Sequence, residues 1–390
     1  MNKLFTFLVV VLFFSCGGDD DTSPSGGGTN LPDFAVYGSD LARSGNTTAT
    51  PPRELPAIRW ETELDGATDG SPVLYQGKIY TGSRSSLFCL DAGDGTVQWE
   101  LERNDDVQSH LSVFAGVLFA GDDSKEFYAV RPDDGSVIWS VFLNGDVRSA
   151  PAYKDGIVYI SDDAGAVYAL NAADGSVVWA EDLSANGVTM ALVDDVLYFL
   201  SSTANPGGSQ SIAAHRIADG SLIWRTNVNG FAFNSPAISG NTLVMGTDGN
   251  VYGLNRTTGD IIWNTEVATA LVFRGSPAIV AGKVYIGNGT NAPGVIAAYL
   301  ARMDLGTGEV DWTITISGQN RFGIRSSVVV GQNVVIAVAD QAGLLAFDTE
   351  TGDLLWNFTP NAGFQSSSAI VSGSRIFFQD EGGSFYCLGN

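Results

Sequence analysis

Two histidines, three cysteines and a few acidic pairs are most of what this 390-residue chain offers for acid–base, redox or metal chemistry. His110 and His215 cannot build a His-rich metal site or several independent acid–base centres. Cys16, Cys89 and Cys387 are too few for a disulfide-built scaffold. His-Glu-x-x-His, Cys-x-x-Cys-His and a Gly-x-Ser-x-Gly elbow are all missing. Asp122-Asp123, Asp162-Asp163 and Asp380-Glu381 have the oxygen ligands that Ca²⁺ favours, but they fall in separate repeats without EF-hand spacing, so solvated turn carboxylates are the expectation and no metal site is assigned. A further set recurs just before short apolar runs: Asp69, Gln108, His110, Arg148, Phe231, Phe233, Phe273, Arg274, Phe322, Arg325 and Gln365. If one fold gathers these, they line a funnel able to hold an anionic or aromatic ligand or a peptide. The other reading is that the phenylalanines plug a channel and the arginines balance Asp69, Asp106 and Asp146.

The elements that would position this set are repeats. The eight tryptophans, Trp60, Trp99, Trp139, Trp179, Trp224, Trp263, Trp312 and Trp356, are spaced by 39, 40, 40, 45, 39, 49 and 44 residues. Seven have a glycine four residues earlier: Gly95, Gly135, Gly175, Gly220, Gly259, Gly308 and Gly352. Each Asp/Thr-Gly is a turn between two strands, because glycine accepts positive φ and an apolar run follows. Three more short β-like runs precede every turn, and four antiparallel strands every ~40 residues describe a β-propeller blade. After Trp356 three strands remain and the sequence ends, while Trp60 has no glycine turn before it. The N-terminal strand is therefore expected to complete the last blade. This makes an all-β, eight-bladed propeller with no open inner edge; seven blades and a stray strand is the alternative.

The unit Ala-x-Asp/Asn-x-x-Asp/Thr-Gly-x-x-x-Trp, clearest in 169–179 and 346–356, resembles the tryptophan-docking repeat of quinoproteins and their non-catalytic relatives, the PQQ-like propellers. The resemblance covers about residues 34–390, including a lead-in at 37–45. It implies that each indole packs on the glycine turn of the next blade. It also brings in the possibility of a PQQ- and Ca²⁺-dependent dehydrogenase. The adjacent cysteine pair typical of eight-bladed members and their large insertions are absent, so no cofactor is expected. The first motif position is filled by Cys89, Ala129, Ala169, Ala214, Gly253, Arg302, Ala346 and Cys387, so Cys89 and Cys387 stand in for alanine as free, buried thiols. Two enlarged loops, 201–211 and 287–298, belong to the funnel face.

Residues 1–15 read as an export signal: eleven apolar positions after Lys3 reach only about half of a ~30 Å hydrocarbon core. Phe13-Phe14-Ser15-Cys16 resembles a lipobox, with Cys16 as the lipid-bearing residue, and the Gly/Ser/Asp stretch to residue 33 reads as a tether. The acidic run 19–21 resembles a surface-export signal. With the anchor and the chain length, the propeller is similar to the BamB group of outer-membrane assembly lipoproteins. That implies a monomeric, non-catalytic scaffold for protein partners at the outer membrane, facing the cell surface or the periplasm. Display of a glycan- or peptide-binding face is a further reading. A net charge of −23 argues against nucleic acid.

Overall fold

In the computed structural model, the described residues are 34–185, 187–201, 210–230, 234–267, 275–288, 297–317, 323–324, 326–339, 342–360, 362 and 367–390. The signal, Cys16 and the tether lie outside them. Eight four-stranded antiparallel sheets follow one another as blades: 73–102, 112–142, 152–182, 191–228, 237–266, 278–317, 329–358, and 370–389 with Ala57–Glu63 as its outermost strand. That strand pairs with Ser384–Gly389, Trp60 opposite Cys387. Within a blade the strands are lettered a to d outward from the axis. The d–a connections and b–c turns share one face, the upper face here, and the a–b and c–d turns share the other.

Alternation along the strands directs apolar side chains to the neighbouring blades, so the core sits in the seams. Val73, Tyr80, Leu87 and Cys89 of blade 1 pack with Val113, Leu118, Ala120 and Tyr128 of blade 2. Cys89 and Cys387 are free and buried in different seams, and burial pushes each thiol up to about 12. Tryptophan docking closes each seam. The indole Nε1–H groups of Trp60, Trp99, Trp139, Trp179, Trp224, Trp263 and Trp312 donate to the carbonyls of Ala92, Pro132, Ala172, Ile217, Arg256, Leu305 and Thr349. Each acceptor lies three residues before a turn glycine. Blade 8 has no such turn, because its d strand comes from the other end of the chain; Trp356 donates instead to Pro52 O at 2.9 Å.

The glycine requirement is steric as well as torsional. Gly175 has φ +72°, and a Cβ there would lie 2.7 Å from Trp139 Cε3. Gly175→Ala should therefore cost about 2 kcal/mol through left-handed strain and a displaced indole, read as a lower urea midpoint; an unchanged midpoint would mean the indole moves freely.

The axis of an eight-bladed ring is too wide for its short inner strands to fill. Residues 34–52 fill it. Backbone bonds join Phe34 to Leu74, Ala35 to Val113, Leu41 to Leu192, Ala42 to Ile238, Ser44 to Ile279 and Gly45 to Val330. Thr47 Oγ1 donates to Val371 O, and Arg43 Nη2 to Pro151 O. Every blade is thus tied to one segment. Gly45 passes so close that a Cβ would lie 2.6 Å from Ala278 Cβ. Beside Tyr37 only a void of about 10 Å³ remains, room for one water at most.

Candidate functional site

The sequence-derived funnel set divides on the upper face. Asp69, Gln108, His110 and Arg148 are described; Cys16, Phe231, Phe233, Phe273, Arg274, Phe322, Arg325 and Gln365 lie outside the described residues, as do 202–209 and 289–296 of the enlarged loops. The described part comes from blades 1 to 3.

Asp69, Gln108 and Arg148 each stand four residues ahead of an inner strand, so the repeat sets them at one level of the mouth. Asp69 is part-buried. Arg148 bridges two blades: Nε and Nη2 donate to Asp123 at 2.9 and 2.8 Å, Nη1 faces Asp163 at 3.0 Å, and Nη2 reaches Asp146 at 3.4 Å. Gln108 Nε2 donates to Asp123 at 2.9 Å and Asp106 at 3.3 Å. The bond to Asp123 and the nearby carboxylates raise the Arg148 pKa. Burial lifts Asp163 and Asp106 despite their partners. One cation faces four carboxylates, so this sector of the mouth is anionic and its arginine is already engaged.

The acidic b–c turns correct an expectation. Asp122, Asp162 and Asp380 are buried, not solvated. Asp122 Oδ1 accepts from the Ser124 and Glu126 N–H groups, and its Oδ2 from Arg103. Asp162 Oδ2 accepts from the N–H groups of Asn144 and Gly145 and from Tyr168 OH. Asp380 accepts from Ser384 N–H and Tyr386 OH. These carboxylates pin turns, with lone pairs filled by protein donors. Among the described residues no group of three or more His, Cys, Asp or Glu is arranged to hold a metal ion.

Below the mouth lies a ring that the sequence reading did not anticipate. Two residues ahead of each inner strand stand Ser71, His110, Ala150, Thr189, Ser235, Ser276, Ser327 and Ser368. The side chain in one blade accepts from the backbone N–H in the blade before: Ser71 to His110 Nδ1 (3.1 Å), Ala150 to Thr189 (2.8 Å), Ser235 to Ser276 (3.0 Å), Ser276 to Ser327 (3.2 Å), Ser327 to Ser368 (3.1 Å) and Ser368 to Ser71 (3.0 Å). The recurrent Ser-Pro at 71–72, 235–236 and 276–277 was the available signal. His110 therefore serves the ring with its lone pair and stacks on Tyr37, centroids 4.0 Å apart. Tyr37 OH in turn meets Ser327 Oγ at 2.6 Å.

Beneath it, Arg43 is 1% exposed on the axis. Its Nε, Nη1 and Nη2 donate to Met190 O (3.0 Å), Tyr37 O (2.6 Å) and Pro151 O (2.9 Å). Burial lowers its pKa to about 10, with Tyr37 and Asp40 opposing the shift. The upper face is thus a cup with a rigid polar floor: a surface for contact, closed to passage.

The family model described as outer membrane protein assembly factor BamB matches residues 83–208 and 187–389. BamB of Yersinia pestis is 30% identical over 174 residues, 42% of this chain and 42% of that protein. A tetrathionate hydrolase of Acidithiobacillus ferrooxidans is 27% identical over 198 residues, 46% of this chain and 38% of that protein. The matched stretches span about two fifths of the length of these relatives. Among solved structures, BamB of Moraxella catarrhalis superposes with TM-score 0.70 at 15% identity, over 86% of this chain and all of that one. Quinohemoprotein alcohol dehydrogenase of Comamonas testosteroni gives 0.74 at 14% identity, over 92% of this chain and 80% of that one. At such identities the structural likeness is one of fold.

Proposed function

The chain belongs to the family of the outer membrane protein assembly factor BamB, and from that premise we propose that it is a non-catalytic scaffold, lipid-anchored through Cys16 at the outer membrane and displayed on the cell surface, that binds a protein partner through its upper face. The observation that carries this reading is the closed cup. Its described rim is anionic, its arginine is bound to carboxylates, and its floor is built from hydrogen bonds between blades. Pre-formed, rigid walls suit recognition of a partner, since little conformational freedom is lost on contact.

A quinone with its Ca²⁺ fits these residues poorly. Asp123, Asp146 and Asp163 converge on Arg148 and leave no cation-sized gap between them, while Tyr37 and Arg43 fill the axis below. The enzymatic relative and the dehydrogenase fold supply the second reading, a quinone-dependent oxidoreductase.

A photo-crosslinking amino acid at Gln108 or Asp69, carried by the full-length protein in cells, should yield a discrete membrane-protein adduct. The same probe at Asp174, on the lower face, should yield none. Equal adducts from both faces would sink the assignment, and alcohol or sugar oxidation by protein supplied with PQQ and Ca²⁺ would favour the enzyme. Protease shaving of intact cells tests the surface display separately: a protected propeller would place it in the periplasm.

A further inference from the structure

The seam between blades 3 and 4 opens on the lower, outer side as a groove of about 580 Å³. Its cause is local. A bulge at Ala169/Leu170 leaves one extra residue in Val177–Asp182, which turns Val177 and Val178 outward at 59% and 55% exposure. The c–d turn of blade 4 also stands off from its tryptophan. A Cβ on Gly220 would lie 3.2 Å from Trp179, against 2.7 Å for Gly175 on Trp139. Trp179 still donates to Ile217 O at 2.8 Å, so the seam is docked but not filled.

The walls are Tyr159, Trp179, Val178 and Val196, with Ile223 37% exposed at the lip. Two charges line it. Asp195 is matched by Lys154 of blade 3. Arg216 is exposed, and its hydrogen bond among the described residues is to Ser221 Oγ at 3.3 Å. The adjacent Asp219 carboxylate accepts from Ser221 N–H at 2.9 Å. The groove thus pairs an apolar, aromatic-walled recess with a guanidinium that has no carboxylate bound to it, next to a d strand whose outer edge carries no further strand.

We propose that this seam docks an extended segment of a partner protein, which seats one large apolar side chain between Val178 and Ile223 and sets a carboxylate against Arg216. The volume suits one or two side chains, and the charge selects an acidic neighbour over a basic one. The site lies on the face opposite the one invoked above, so the two readings fail separately.

The probes are blocked tetrapeptides, acetyl-Ser-Phe-Asp-Ser-amide and its Phe-Lys and Ala-Asp counterparts. They are titrated against the propeller while the Trp179 indole N–H is followed by NMR, assigned through Trp179→Phe. The Phe-Asp peptide should shift that signal saturably, with affinity about threefold or more above either counterpart. Arg216→Glu should reverse the preference to Phe-Lys, and Ile223→Ser should weaken both peptides with other indole signals in place. No saturable shift, or equal affinity for Phe-Asp and Phe-Lys in both proteins, would overturn the proposal. So would a shift of the same signals with protein concentration alone, which would make a second copy the occupant.

Discussion

Arg43→Ala is expected to cost the propeller about 3–5 kcal/mol. The guanidinium is the one group on the axis that answers three carbonyls at once, those of Tyr37, Pro151 and Met190. Two of these belong to blades 3 and 4 and the third to the axial segment itself. Truncation leaves all three acceptors without that donor and empties the largest side chain from the plug, so the unsatisfied-acceptor penalty and the cavity penalty fall together. No ion pair softens or complicates the loss: among the described residues no carboxylate lies within 4.0 Å of the Arg43 nitrogens. Arg43→Lys should recover only part of it, because one ammonium cannot reach in three fixed directions. Urea unfolding followed by tryptophan fluorescence reads the effect. A loss below about 1 kcal/mol would mean that the segment holds the ring through its backbone bonds alone.

What the sequence made legible follows from repetition. The tryptophans count blades because each one must find a carbonyl in the next seam. The glycines mark turns because no other residue fits under an indole at positive φ. Cys89 and Cys387 read correctly as small buried residues because the other blades supply the comparison. Features that occur once had no such comparison. Pro52 replaces a whole turn for Trp356, and nothing in its neighbourhood resembles the unit it replaces. Arg43 sits in a lead-in that is not a blade, and its partners are backbone atoms, which leave no side-chain signature. Arg302 looked like an exception to the small-residue rule. It reaches across the blade 6–7 seam to Glu350 at 2.9 Å, so size there serves as a tie between blades. The acidic pairs misled for the opposite reason. Their composition reads as solvent-facing, yet the first carboxylate of each pair turns inward to cap its own turn.

Acid should weaken this ring through His110, and the sign is fixed by its role. Burial first, and the Arg43 charge second, push its pKa down from 6.5 to about 4, with Asp69 pulling weakly upward. Nδ1 must keep its lone pair to accept from Ser71 N–H, and the stacked Tyr37 ring offers no compensating anion. The unfolded chain takes up this proton below about pH 6.5, whereas the folded one resists until about pH 4. Stability is therefore full above pH 6.5 and is lost as the pH falls through that window. The ceiling is about 3 kcal/mol, less whatever the accessible ring edge recovers. His215, buried and likewise lowered, acts in the same direction. His110→Asn isolates the first contribution, since Oδ1 can take the place of Nδ1 and carries no proton. The variant should lose less stability than the parent between pH 6.5 and 4.5, the two urea midpoints converging as acid removes the histidine's advantage. Parallel pH profiles would show that His110 yields its bond to Ser71 without cost, and that the ring of acceptors beneath the cup is held by its hydroxyl members.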